Sequence, residues 1–402
     1  MNVPKLRFKE FTDEWVYYKY KDIFNLNQGL QIPITERFLD YAPNRFFYIT
    51  NEFLKPSSKK SYYIENPSPN VICTKEDILM TRTGNTGKVI TNIAGVFHNN
   101  FFRIKYNPKN FNKDFICCIL NQNKIQNKIL TLAGSSTIPD LNHKDFYSIK
   151  SRFPKLKEQE KIAKFINTVD KKIENIENTI SSLENQKKGL LQQIFSQKLR
   201  FKDKNGNNYP NWEKKKLGKL LSITSSKRVH EADWTTSGIP FYRARDIVSI
   251  FNNKPISKIY ISEKLYEECS SSCGKISEND LLVTGVGTIG IPYLVKKSDK
   301  FYFKDGNIIW LKNSPAIYGK YLFYIFISSY VQKQINMMTG KGTVGTYTIK
   351  NAKDTNILLS CLEEQTKIAN FLSAFDRKLE NQKAQLEHWK QIKKGLLQQM
   401  FV

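Results

Sequence analysis

Four histidines in 402 residues (His98, His143, His230 and His388) stand too far apart in sequence to assemble a metal cluster. The six cysteines are scattered. Only Cys117 with Cys118 and Cys269 with Cys273 are close, and neither pair has a second Cys/His pair at zinc-finger spacing, so ordinary reduced thiols are expected. Long hydrophobic runs are missing too. The longest, Tyr321 to Val331, spans eleven residues and contains Ser328 and Ser329, short of the roughly 20 that a membrane span needs. No apolar stretch follows Lys5 and Arg7, so no signal peptide is expected and the protein reads as cytoplasmic. Acidic residues are in deficit: 37 against 63 basic ones give a net charge of +26. Such an excess calls for a polyanion, because each Lys or Arg placed on a phosphate releases condensed counterions. A genome rich in A and T would inflate lysine as well, and the heavy use of Asn, Ile, Phe and Tyr fits that reading.

What the chain does contain, it contains twice. Glu158 to Phe195 aligns without a gap on Glu364 to Phe401, 206 residues later, with 18 of 38 positions identical. The shared run includes Lys187-Lys188-Gly189-Leu190-Leu191-Gln192-Gln193 against Lys393-Lys394-Gly395-Leu396-Leu397-Gln398-Gln399. A repeat of this length is two copies of a whole module rather than a small solenoid unit. Leu6-Arg7-Phe8-Lys9 recurs as Leu199-Arg200-Phe201-Lys202, each followed by a loop and a Trp (Trp15, Trp212). The chain therefore divides into a first globular part (1–153), a helical segment (154–198), a second globular part (199–358) and a second helical segment (359–402). Short β-branched and aromatic runs between Asn, Gly, Pro and Ser make the globular parts strand-rich, with helices expected over 112–132 and 318–338.

In the repeated segment the apolar residues step by four and three. Ile162, Ile166, Val169, Ile173, Ile176, Ile180, Leu183, Leu190 and Ile194 form one seam, with Lys187 inside it. Ile368, Leu372, Phe375, Leu379, Leu386, Trp389, Leu396 and Met400 form the other, with Gln382 and Lys393 inside it. Such a seam demands a partner helix, and the other copy is the nearest. A pseudo-two-fold relation between the copies makes the pair antiparallel. Lys187 and Lys393 either fix the register or mark a solvated helix end. Gly189 and Gly395 each cost about 1 kcal/mol inside a helix, which predicts close packing against them. A helix of about 39 residues at ~1.5 Å per residue is ~58 Å long.

Each globular part also carries a glycine hairpin, Asp77 to Gly87 and Asp280 to Gly290. Gly285, Gly287 and Gly290 imitate a dinucleotide fingerprint. However, Pro292 follows at once and the sister copy has Arg82 in place of the first glycine, so a turn between strands is the better reading. Gly84 and Gly87-Lys88 are too close together for a phosphate-binding loop. Asn107-Pro108-Lys109-Asn110-Phe111 only half resembles the Asn-Pro-Pro-Phe/Tyr motif of adenine methyltransferases, and Asn313-Ser314-Pro315 does not keep it. Neither copy shows a catalytic constellation, so the chain reads as a non-enzyme. A duplicated methyltransferase or nuclease and a plain coiled-coil scaffold are the alternatives. The first is marked by cofactor binding, and the second by DNA binding without sequence preference.

Pro154-Lys155-Leu156-Lys157-Glu158-Gln159-Glu160-Lys161-Ile162-Ala163 and Leu362-Glu363-Glu364-Gln365-Thr366-Lys367-Ile368-Ala369 lead through Asp170 or Asp376 to the Lys-Lys-Gly-Leu-Leu-Gln-Gln run. With the glycine hairpins and the loops Gly134-Ser135-Ser136-Thr137 and Gly340-Lys341-Gly342-Thr343, they resemble Type I restriction-modification specificity subunits over essentially the whole chain. One departure is Leu359-Ser360 where the first copy has Phe153-Pro154. The resemblance implies an α+β protein with two α/β target recognition domains separated by an antiparallel coiled coil. It implies a non-catalytic subunit that binds double-stranded DNA and reads one half of a bipartite site with each domain. It further implies two modification subunits that methylate adenine with S-adenosylmethionine and two ATP- and Mg-dependent restriction subunits; this chain itself would hold no cofactor. Arg and Lys suit guanine, Asn suits adenine, and Ser, Thr and Lys suit phosphate. The candidate DNA contacts are Arg82, Thr83, Asn85, Lys88, Ser135, Ser136 and Thr137 in the first domain. In the second they are Lys227, Arg228, Arg243, Arg245, Thr284, Thr288, Lys341 and Thr343.

Overall fold

The computed structural model describes residues 3–55, 60–134, 139–339 and 345–401. Two continuous helices dominate it, Leu156–Phe195 and Leu362–Gln399. Contacts gather the chain into two compact units, Met1–Glu177 with Ala384–Val402, and Asn178–Lys383. The division falls inside both long helices, so each unit holds a globular part and a stretch of each helix.

In the first unit, Phe24–Gln28, Phe101–Tyr106, Ile78–Thr81 and Val89–Ile90 form an antiparallel four-stranded sheet in that order. A second sheet orders Tyr62–Glu65, Arg45–Ile49, Gly95–Phe97 and Ile72–Cys73, with its middle pair parallel. Val16–Lys19 pairs antiparallel with Lys150–Phe153 and so closes the globular part where the helix begins. The second unit repeats the plan with Ile223–Thr224, Ile308–Leu311, Leu281–Thr284 and Pro292–Leu294, and closes it with Glu213–Lys216 on Asn356–Leu359. It also has the helices Ala244–Phe251 and Glu263–Cys273. Glu263–Cys273 stands where the first unit has the short 3-10 turn Pro69–Val71, Ala244–Phe251 lies between the strands that match Arg45–Ile49 and Tyr62–Glu65, and the 3-10 turn Ile34–Glu36 has its counterpart in Glu231–Asp233.

The single helices expected over 112–132 and 318–338 are each broken in two. Lys113–Leu120 ends at Asn121, whose side chain donates to the Cys117 carbonyl, and Asn123–Ala133 follows. Gly319–Ile327 ends at Ser328, which takes an extended conformation before Ser329–Met338. Apolar periodicity runs through both breaks because each half buries the same face, so the pattern alone does not show them.

The start of each long helix is tied down by the same four residue types. Glu158 is almost fully buried and accepts from Arg7 Nε and Nη2 at 2.7 Å and from Trp15 Nε1 at 3.2 Å. Glu364, equally buried, accepts from Arg200 at 2.8 and 3.0 Å and from Trp212 at 2.7 Å. A carboxylate out of water requires such partners, which explains why the Leu-Arg-Phe-Lys lead-in and its Trp are repeated. The neighbouring glutamine does a second job. Gln159 accepts from Asn112 N and donates to Pro154 O, and Gln365 accepts from Tyr318 N and donates to Ser360 O, each at 2.7–2.9 Å.

Within each unit the two helices run antiparallel. In the first, Asp170 meets Lys393 at 2.5 Å and Glu177 meets Lys390 at 2.9 Å. In the second, Glu184 meets Lys383 at 2.8 Å and Lys187 meets Asp376, which also accepts from Tyr324 Oη at 2.5 Å. Lys187 and Lys393 are therefore cross-helix ion pairs rather than solvated ends. Ile166, Val169, Ile176, Ile180, Leu183, Leu372 and Leu379 are buried, whereas Ile173, Leu190, Phe375, Leu386, Trp389 and Leu396 are half-buried. The helix ends enter the globular cores. Phe401 lies against Phe115 and Trp15, and Phe195 against Tyr321 and Trp212.

Close packing at the helix glycines is not found. A Cβ at Gly189 or Gly395 would meet nothing within 4 Å among the described residues. No described helix is long and apolar enough to cross a membrane.

Candidate nucleic-acid interface

The glycine hairpins are turns between strands in both copies, and one threonine shapes each of them. Thr81 Oγ1 donates to Asn85 O at 2.6 Å and accepts from Lys88 N at 2.9 Å. Thr284 Oγ1 donates to Thr288 O at 2.6 Å and accepts from Ile291 N at 2.9 Å. Gly84 and Gly287 turn the chain with φ of +62° and +68°, a region that a side chain rarely enters. A glutamine then holds the turn to the helix behind it: Gln126 Nε2 donates to Gly87 O and Gln332 Nε2 to Gly290 O, both at 2.9 Å. Thr81, Gln126 and Gln332 were not among the candidates. The duplication marks them, since each has its counterpart at the matching position.

On this common frame the exposed side chains differ. Arg82 forms a fork with Asp140, Nε to Oδ1 at 2.8 Å and Nη2 to Oδ2 at 2.6 Å. Asn85 and Lys88 are exposed on the same turn, and Thr83 is half-buried with its carbonyl accepting from Asn51. Next to it, burial and the Arg82 charge pull the His143 pKa below the usual imidazole range. In the second unit Gly285 stands in the place of Arg82, and Thr288 is exposed.

Two candidates are corrected by burial. Thr284 is fully buried and its hydroxyl serves the turn, so it presents nothing to a duplex. Arg243 is 8% exposed, with its guanidinium hydrogen-bonded to Asp246 at 2.8 and 3.1 Å, 5.7 Å from the Trp234 ring. It starts the helix Ala244–Phe251 rather than reaching outward. Arg245, on the opposite side of that helix start, is exposed, as are Lys227 and Arg228. Arg228 pairs with Asp305 at 2.9 Å. Ser135, Ser136, Thr137, Lys341 and Thr343 lie outside the described residues. The structure brings Arg82, Thr83, Asn85 and Lys88 together at one turn. It places Lys227, Arg228 and Arg245 on separate segments from the Thr288 turn.

No group of three or more metal-binding side chains occurs among the described residues. The six thiols are unpaired, and burial pushes Cys117 and Cys118 up to about 12, which keeps them protonated.

The Type I restriction modification DNA specificity domain matches the chain twice, over residues 12–185 and 209–388. The chain belongs to this family. It is a Type I specificity subunit, and its work is recognition of DNA sequence. The Type I restriction enzyme MjaVIII specificity subunit of Methanocaldococcus jannaschii is 23% identical over 419 residues, covering 98% of this chain and 94% of its own. The MjaIX specificity subunit of the same organism is 26% identical over 202 residues, 48% of this chain and 44% of its own. Among solved structures, the Type I S subunit of M. genitalium superposes with a TM-score of 0.62 at 17% identity, covering 100% of this chain and 99% of its own. A chain solved in work on complex assembly and conformational transition of the type I R-M system gives 0.56 at 14% identity, covering 95% and 96%. At these identities the superpositions speak for the fold.

Proposed function

We propose that this specificity subunit reads a bipartite, asymmetric DNA target, one word per globular domain, and docks two copies of one modification subunit on its helices. The observation that carries the reading is what the two copies keep and what they change. Lys188, Gln192 and Gln193 are exposed and identical to the exposed Lys394, Gln398 and Gln399, and Gly189 matches Gly395 with open space over both. No contact among the described residues requires these identities, whereas a partner present twice would. At the hairpin tips, by contrast, the residues around the two shared glycines differ, Arg82, Thr83, Asn85 and Thr86 against Gly285, Val286, Thr288 and Ile289, as two readers of different words should. Helices of 40 and 38 residues are ~60 Å long at ~1.5 Å per residue. Readers on one face of a duplex stand ~34–36 Å apart, about one turn. Two words of about three to five base pairs around a spacer of roughly six follow from that spacing.

In this reading the chain does no catalysis. The modification subunits bring S-adenosylmethionine and methylate adenine, and two restriction subunits bring ATP- and Mg-dependent cleavage. Subunit stoichiometry tests the docking. Gly189→Trp should leave a complex with one modification subunit, and the double variant with Gly395→Trp should leave none. Full assembly of the double variant, measured by native mass, would refute it.

A further inference from the structure

We infer that Arg82 reads a guanine in the word of the first domain and that Asp140 is the positioning residue that aims it, an inference that rests on the DNA-recognition reading above. Asp140 accepts two of the five N–H donors of the guanidinium, the one on Nε and one on Nη2. The edge opposite, Nη1 with the second Nη2 hydrogen, matches two acceptors side by side. In the major groove guanine alone offers that pair, O6 and N7. Adenine and cytosine each present an amino donor, and thymine a single acceptor beside a methyl group.

The pair is held in place from both backbones. Leu141 N donates to Arg82 O at 3.0 Å, Arg82 N donates to Asn100 O at 2.7 Å, and Thr86 Oγ1 donates to Pro139 O at 2.7 Å. An arginine held this way loses little conformational freedom when it meets a base, which favours discrimination. Stability does not account for the pair, because the side chains are 26% and 45% exposed and an exposed ion pair stabilises little. The second domain supplies the control. There Tyr347 N donates to Gly285 O and Gly285 N to Asn307 O, both at 2.8 Å, so the same backbone frame stands without the pair. Gly285 replaces the arginine and Thr346 the aspartate. A Cβ at Gly285 would come within 2.7 Å of Tyr347 O. Reader and positioner are absent together where the frame remains.

The test uses the full chain assembled with its modification subunit, on duplexes carrying the methylated target with each base pair varied in turn. Arg82→Ala should lower the preference for G·C at one position by on the order of tenfold to a hundredfold, leaving the other word unchanged. Arg82→Lys keeps the charge but not the fork, and should relax the same position. Asp140→Ala should relax that position to a smaller degree, with the salt dependence of binding unchanged. Three results would overturn the inference. One is a first-domain word with no fixed G·C pair. Another is a variant that weakens all sequences alike and lowers the salt slope by about one, the signature of a phosphate contact. The third is Asp140→Ala with discrimination intact. Should Arg82→Ala fail to fold, Arg82→Lys and Asp140→Ala decide the matter. A continuous wild-type target would refute the bipartite reading without touching this one, because the Arg82-dependent G·C pair would still be scored.

Discussion

Thr81 and Thr284 sit at the same place in two hairpins and make the same two hydrogen bonds, while the residues that follow them, Arg82 and Gly285, share their backbone bonds but nothing of a side chain. That contrast over two adjacent positions holds for the molecule at large. Where a side chain faces the protein, as Glu158 and Glu364 or Gln126 and Gln332 do, its partners recur almost distance for distance. Where it faces solvent on a globular part, the copies have separated. The second carries the helices Ala244–Phe251 and Glu263–Cys273, which have no counterpart among the described residues of the first. A duplicated reader can change its words only if the frame carrying them does not depend on them.

Breaking the frame should therefore cost both copies alike. The largest effect belongs to the buried carboxylates. Glu158→Ala and Glu364→Ala each leave an arginine and a tryptophan without their acceptor and should each destabilise the unit concerned by about 3 kcal/mol. Thermal unfolding of the two variants checks this. Costs that differ by more than about twofold would show that the two knots are not equivalent. Next come the hairpin threonines. Thr81→Val and Thr284→Val each remove the two hydrogen bonds that the hydroxyl makes across its turn, for roughly 1–3 kcal/mol each. Denaturant titrations should find the two alike, and a neutral result at either would deny that the hydroxyl holds the turn.

The smallest effect sharpens the difference between the copies. His98 lies against Tyr48 in the first unit, and burial, then the Arg37 charge, pulls its pKa from 6.5 down to about 4. Between those values the unfolded chain binds a proton that the folded one does not, so stability is lost as pH falls from about 6.5 towards 4. His98→Asn should lessen the pH dependence of the first unit's unfolding over that window, with the share of His143 remaining, and leave the second unit's unchanged. An equal acid sensitivity in the variant would assign the loss to other groups.

Much of this was legible in the sequence because duplication writes each structural rule twice. The seam from Ile162 to Ile194, the antiparallel partner and the turn nature of the glycine hairpins all follow from spacing and from comparison of the copies. The breaks at Asn121 and Ser328 were hidden because apolar periodicity passes through them. Thr284 and Arg243 misled because residue type suits DNA contact but does not say which way a side chain faces, and here the Thr284 hydroxyl turns back onto Ile291 N and the Arg243 guanidinium onto Asp246. Asp140 carries no signal next to Arg82 in sequence, being 58 residues away. The glycines at 189 and 395 suggested that something packs closely there, and among the described residues nothing lies within 4 Å of a Cβ at either.

The measurement that bears most directly on the division between constant frame and changed readers is a map of methylated adenines in cells making this chain with its modification subunit. Two different words of about three to five base pairs, separated by an unread gap of roughly six, are the predicted result. A continuous motif, or two identical words in a palindrome, would contradict it.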